Sequence, residues 1–212
     1  MPSLTLADLV ANGTMSFEIA ATLRATAQGR HSFLVCAVPR LAGKSTVMAA
    51  MLAHAPNGAP KRTVGDEGVD IDALAAAARS GYLVIPEISE YPVDPGYIWG
   101  APVRKAFAHV GDDLALVAAL HAPGAEEAIE VVCRGNGVPD EHASQIALVV
   151  YIRSLGRDWR EPVGRRVATV SEIVAVRNGR PETRLLHRWN ERTDTFETVE
   201  APRRIAARRA SR

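Results

Sequence analysis

SFLVCAVPRLAGKSTVMAAMLAHA, residues 32–55, divides into three pieces of different character. Residues 32–38 are a short apolar run with β-branched valines, stopped by a proline, which is the pattern of a buried strand. Pro39 to Gly43 reads as a turn. Ser45 to Ala55 is rich in Ala, Met and Leu and reads as a helix. A strand that passes into a helix through Gly43-Lys44 is the context in which a phosphate-binding loop works. Backbone amides and the helix N-terminus there offer partial positive charge to phosphate oxygens. In this reading Pro39, Arg40, Leu41, Ala42 and Gly43 form the cradle. Lys44 reaches the β and γ phosphates of a nucleotide as a mobile cation. Ser45 sets its hydroxyl on Mg²⁺, with Thr46 the weaker alternative. The competing reading is a plain surface lysine after a turn glycine. The loop also departs from the full pattern G-x-x-x-x-G-K-[ST], because Val38 stands in the first glycine position, where a β-branched residue is poorly suited to positive φ.

Working outward, SLTLADLVA (3–11) reads as a short helix, broken at Asn12-Gly13. Ser16 caps a second helix that runs to about Gln28 and closes at Gly29, with Glu18 supporting its first turn. Asn57 to Gly68 is polar and rich in Gly and Pro, a loop. Residues 70–79 read as a helix with acids at its start and Arg at its end, matching the helix dipole. YLVIPEI (82–88) is a second buried strand. Tyr91 to Pro102 is irregular, a helix covers about 102–109, and LALVAALHA (114–122) is a third strand. Residues 124–134 read as helical, and ALVVYIRS (147–154) as a strand. RRVATVSEIVAVRNGR (165–180) is a strand ending in an Asn-Gly turn, answered by RLLHRWN (184–190) in an antiparallel hairpin. Strand and helix alternate as far as residue 134, so the chain is expected to be α/β with a largely parallel central sheet, flanked by helices and extended by antiparallel C-terminal strands.

The bulk properties agree with one such unit. The chain has 212 residues, 47% hydrophobic and 23% charged, with a formal net charge of +1. That balance fits a globular domain with a core of its own and gives no argument for a nucleic-acid partner. Cys36 and Cys133 each sit in an apolar run and have no CxxC partner, so they read as buried thiols. No apolar stretch approaches the ~20 residues needed to span a bilayer, and no basic region followed by an apolar run opens the chain. The expectation is a cytoplasmic protein, peripheral at a membrane only through partners. Arg203, Arg204, Arg208, Arg209 and Arg212 crowd the last ten residues. Residues 201–212 therefore read as a solvated, disordered basic tail; the sharper alternative is contact with an acidic partner or anionic lipid.

Several segments together resemble the type II/type IV secretion and pilus ATPases, in their tight-adherence and type IV secretion branch. TLADLVANGTMSFEIAATLRATAQGRHSFLVCAVPRLAGKST (5–46) follows the order of the family's approach to its P-loop, with the proline after the first loop glycine matched by Pro39. The family's atypical Walker B ends in Gly-Glu at a strand tip; YLVIPEISE matches it with Glu87 in the glutamate position and Pro86 in place of the glycine. LVAALHAPGAEEAI (116–129) matches the second part of the family's histidine box through His121. Counting back to the first histidine position falls on Asp113. GRRVATVSEIVAV (164–176) and RLLHRWNERTDTF (184–196) follow the family's closing strands. The resemblance runs from about residue 5 to 197.

This resemblance implies a RecA-like P-loop NTPase domain over residues 1–200, without the family's separate N-terminal domain. It implies ATP and Mg²⁺ as ligands, Glu87 orienting the attacking water, and His121 sensing phosphate. It also implies a homo-oligomeric ring that works with secretion or pilus machinery at the inner face of a membrane. The family's acidic box has only a faint echo in VGDEGVD (64–70), with Glu67 the best candidate, and Arg62 and Arg79 are the candidates for arginines that face a neighbour's nucleotide. Without the resemblance, Glu87 reads as a capping or salt-bridged strand-end glutamate and His121 as a satisfied structural histidine. The altered positions Val38, Leu41, Pro86 and Asp113 favour an alternative, a catalytically weakened nucleotide-sensing or scaffolding subunit. A small-molecule P-loop kinase ranks lower, since no Arg-rich lid is evident.

Overall fold

The computed structural model describes residues 4–39, 41–65, 70–91, 94–111, 113–158 and 160–207. Its strands in chain order are β1 (Ser32–Ala37), β2 (Lys61–Thr63), β3 (Gly81–Ile88), β4 (Tyr97–Ile98), β5 (Leu114–Leu120), β6 (Ile146–Leu155), β7 (Gly164–Arg177), β8 (Arg180–Asn190) and β9 (Thr195–Thr198). Its α-helices are α1 (Leu6–Ala11), α2 (Phe17–Gln28), α3 (Lys44–Leu52), α4 (Ile71–Ala77), α5 (Ala101–Ala108), α6 (Ala125–Glu130), α7 (Asp140–Ala143) and α8 (Arg204–Ala207).

The strands form one sheet in the order β2-β3-β5-β1-β6-β7-β8-β9, with β4 paired to β3. From β2 to β6 the pairing is parallel, and β7, β8 and β9 extend the sheet antiparallel. This is the α/β arrangement that the alternation of strand and helix predicts. The central strands β1 and β5 are buried along their whole length, as a parallel sheet covered on both faces requires. Helices α1, α2 and α3 pack Leu6, Leu9, Ile19, Leu23, Met48 and Met51 against Phe33, Val35 and Val117 on one face. Helices α4, α5 and α6 pack Ile71, Val103, Phe107 and Ile129 against Leu34, Cys36, Leu83 and Leu116 on the other. Each such fully buried side chain is worth about 1.5–3 kcal/mol.

The local signals act as their chemistry demands. The Ser16 hydroxyl accepts from the Ile19 amide and caps α2. Asn178 and Gly179 both take positive φ, 54° and 71°, at the β7–β8 turn, the conformation that favours Asn-Gly in two-residue hairpins. Gly29 closes α2, but at φ −77°; the left-handed residue is Arg30 at φ 50°. Gly29 is instead a close-approach glycine, since a Cβ there would lie 2.6 Å from the His31 ring.

Five stretches differ from the sequence reading. β2 lies inside the segment read as loop and β4 inside the one read as irregular; both are short edge pairings on β3 with too few residues to carry a periodicity. The helix from 125 widens into a π-turn over 131–135. A further strand, β9, completes the sheet beyond β8. The start of the basic tail is docked rather than solvated. Arg203, Arg204 and Ile205 donate their backbone N–H groups to the buried Glu172 carboxylate, Ile205 is buried in the core, and the Arg204 guanidinium donates to the carbonyls of Ser144, Ile146 and Ile173. The apolar Ile205 among arginines is the signal for this docking. Residues 208–212 lie outside the described residues.

Candidate functional site

Three neighbouring parallel strands, β3, β5 and β1, end on the same edge of the sheet, the edge at which open α/β sheets bind ligands. At the end of β1 the chain turns and enters α3 through Gly43, which caps the helix in the left-handed conformation at φ 95°. Lys44 is therefore the first helical residue, and its side chain is buried. At the end of β3 the register against β5 slips: Ile85 pairs with Ala118 and Ile88 with Leu120, so β3 carries one extra residue. Ile88 accordingly rejoins the face that Leu83 and Ile85 share, which strict alternation would deny it. Such a bulge re-aims a side chain, and it also accommodates Pro86, which has no N–H for a ladder bond. His121 follows directly after β5.

These three elements bring Lys44, Glu87 and His121 into contact. Lys44 Nζ lies 3.0 Å from Glu87 Oε1 and 3.3 Å from His121 Nε2. His121 Nε2 lies 3.5 Å from the same Glu87 oxygen. Lys44 and Glu87 are both buried, whereas His121 is partly open to solvent. A buried, paired lysine and glutamate with an adjacent imidazole can exchange partners when an anion enters, since each charge must keep a counter-charge.

A cavity of about 710 Å³ opens over this cluster, within the size range of small-ligand sites. Its lining includes the loop from Leu41 to Val47, Glu87 and His121, together with Asn12, Thr14, Asp94, Tyr97 and Arg165. Thr14, one of the lining residues, accepts at its carbonyl from the Val167 amide at 2.8 Å.

Of the residues that the sequence singles out, Leu41, Ala42, Gly43, Lys44, Ser45, Thr46, Glu87 and His121 all line this one cavity. Leu41 is 62% exposed at φ 62°, Ser45 is exposed, and Ala42 is buried. Pro39 is half-buried behind the loop, joined to Val38 by a cis peptide, and does not line the cavity. Arg40 and Glu67 lie outside the described residues. Arg62, on β2, and Arg79, after α4, are exposed and away from the cavity lining. Asp113 precedes β5, at the opposite end of that strand from His121, and accepts a hydrogen bond from Ser80 Oγ at 2.8 Å. A seven-residue strand spans about 20 Å, so Asp113 stands far from the cluster. Sequence reading missed Asn12, Thr14, Asp94, Tyr97 and Arg165, which carry no local motif.

Solved structures similar to this chain include two ATPases. The VirB11 ATPase of the Brucella suis type IV secretion system, in complex with sulphate, matches with a TM-score of 0.51 at 16% identity, over 80% of this chain and 56% of that one. The Legionella pneumophila ATPase DotB matches with a TM-score of 0.43 at 10% identity, over 84% of this chain and 49% of that one. The chain thus spans about half the length of these proteins. No protein-family model and no curated protein matches the chain. The likeness to the VirB11 ATPase shows a common fold. Among the described residues, no helix is long and apolar enough to cross a membrane.

Proposed function

We propose that the chain is a nucleotide-binding ATPase module of the type II/type IV secretion and pilus class, acting on ATP with Mg²⁺. One observation carries this reading: Lys44, Glu87 and His121, on three separate elements, converge within 3.0–3.5 Å in the lining of one cavity. The loop from Leu41 to Thr46 and the first turn of α3 would hold the phosphates through backbone amides. Lys44 would leave Glu87 for the β and γ phosphates. Glu87, released at that moment, would orient the attacking water, and His121 would sense the terminal phosphate through the contact it now makes with Lys44. The reaction is phosphoanhydride hydrolysis, accelerated by positioning and charge. In this reading the ion arrives with the nucleotide. The exposed Ser45 hydroxyl at the start of α3 is the group that would hold it, and the ion would supply charge neutralisation between the phosphates.

The cavity supports an oligomeric site. Leu4, Leu41 and Val163 line it and stand 44%, 62% and 84% exposed, an apolar rim of the kind that a second subunit covers. A homo-oligomeric ring working with secretion or pilus proteins at the membrane follows from this reading. The second reading is a nucleotide-sensing or scaffolding subunit without turnover. Val38 favours it, because the valine stands where the loop pattern has its first glycine.

Mg-ATP turnover across a series of protein concentrations, beside Lys44→Ala and Glu87→Gln, separates the two. Turnover that rises cooperatively with concentration and is lost in both variants supports the ATPase. Binding without turnover at any concentration supports the scaffold. Absence of both binding and turnover overturns the nucleotide reading.

A further inference from the structure

Arg165, at the start of β7, reaches across to the loop between β1 and α3. Its Nη2 and Nε donate to the Leu41 carbonyl at 3.1 and 3.3 Å. The side chain passes so close to Gly43 that a Cβ on that residue would lie 3.0 Å from Arg165 Cδ. Leu41 holds φ 62° while its side chain is mostly exposed. A left-handed conformation is unfavourable for a leucine, and its own packing does little to offset this. The guanidinium bonds hold the peptide's carbonyl.

The direction of that bond matters. In a planar trans peptide the carbonyl of one residue and the amide N–H of the next point opposite ways. With its carbonyl held by Arg165, the Leu41–Ala42 peptide turns the Ala42 N–H away from the guanidinium. Two left-handed residues, Leu41 and Gly43, flank Ala42, and alternation of this kind aligns successive amides into an anion-binding concavity. Arg165 is itself held. Its carbonyl accepts from Arg166 Nη1 at 2.9 Å, Arg166 forms a fork with Asp194 at 2.7 and 2.8 Å, and Trp189 Nε1 donates to the same carboxylate at 2.8 Å. The β8–β9 turn is thereby connected through β7 to the loop. The two loop bonds of Arg165 go to a neutral carbonyl, whereas the charge of Lys44 is met by Glu87.

We propose that Arg165 is a positioning residue for phosphate, supplied in cis by β7: it holds the Leu41–Ala42 peptide so that the loop amides face a nucleoside diphosphate or triphosphate, in a loop where valine replaces the first glycine. This deepens, and rests on, the reading of residues 38–46 as a phosphate-binding loop. The ligand class follows from that reading, in which the loop amides serve a phosphate chain that a monophosphate lacks.

Calorimetric titration with Mg-ADP and with AMP tests it, on the wild-type chain, Arg165→Ala, Arg165→Met and Lys44→Gln. Arg165→Met keeps the packing against Gly43 and removes both donors, so it stands in if the alanine variant fails to fold. The expected result is a loss of roughly tenfold in Mg-ADP affinity in the Arg165 variants, with AMP affinity changed far less. Equal weakening of both ligands assigns Arg165 a structural role and overturns the proposal. Wild-type Mg-ADP affinity in the Arg165 variants, with loss in Lys44→Gln, overturns the proposal and leaves the loop reading intact. A wild-type chain that does not prefer Mg-ADP to AMP overturns both.

Discussion

Lys44 Nζ and Glu87 Oε1 are 3.0 Å apart and both buried, although the two residues stand 43 positions apart in sequence. A phosphate that takes Lys44 must therefore compete with Glu87. Truncating the lysine leaves a buried carboxylate without its cation, a change that costs about 3–5 kcal/mol in buried pairs. Lys44→Ala is then expected to lower thermal stability as well as binding.

Glu87→Gln isolates the competition. The amide keeps the shape and a polar contact but removes the charge that holds Lys44. We expect this variant to bind Mg-ATP at least as tightly as the wild-type chain and to hydrolyse none of it, with binding read by calorimetry and turnover by phosphate release. Weaker binding in Glu87→Gln would show that Glu87 supports the ligand instead of restraining Lys44.

The parts of this site that sequence revealed are those set by local pattern. SFLVCAV followed by Gly43-Lys44 specifies strand, turn and helix within fifteen residues, and the strand ends at Glu87 and His121 then fall beside it because β3, β5 and β1 are neighbours. Arg165 was not legible in this way, since its partner Leu41 is 124 residues away and nothing near Arg165 in the chain marks it. Asp113 shows the converse. A motif count placed it with His121, but β5 separates them by its full length. The docking of residues 203–205 likewise depends on Glu172, a strand residue more than thirty positions earlier.

His187 should give the fold a pH dependence. It is buried on β8, with Thr22 Oγ1 at 2.9 Å from Nε2 and Thr198 Oγ1 at 3.2 Å from Nδ1. Burial holds its pKa below the ordinary value of 6.5, partly opposed by the Glu18 carboxylate. The folded state thus keeps the ring neutral while the unfolded chain takes up a proton below about pH 6.5. Stability contributed by this group is fully present above that pH and falls as the pH drops toward the folded pKa. We expect His187→Gln to be less stable at pH 8 but to lose less stability than the wild-type chain between pH 7 and 5. Parallel curves in urea unfolding would exclude His187 as the source.

Glu172 fastens the C-terminal segment. Its carboxylate is almost fully buried, pairs with Arg184 at 3.1 Å and accepts the amides of residues 203–205. Glu172→Gln leaves Arg184 without its full counter-charge and weakens the amide bonds, a loss of about 1–3 kcal/mol. The segment should open more often, so trypsin should cleave at Arg203 and Arg204 well before the rest of the domain. Cleavage kinetics equal to those of the wild-type chain would mean that Ile205 alone holds the segment.

Gly43→Ala tests the loop and Arg165 together. An alanine at φ 95° is strained by about 1–2 kcal/mol wherever it sits, and that part of the loss does not depend on Arg165. The new Cβ would also meet Arg165 Cδ at 3.0 Å, so the arginine must shift by a few tenths of an ångström, which stretches its bond to the Leu41 carbonyl. The two effects separate in a double-mutant cycle read by Mg-ADP affinity. If the contact matters, Gly43→Ala harms binding less once Arg165 is already alanine, and the two single losses exceed the loss in the double variant. If the losses simply add, backbone strain at Gly43 accounts for its whole effect and the glycine is required for its φ alone.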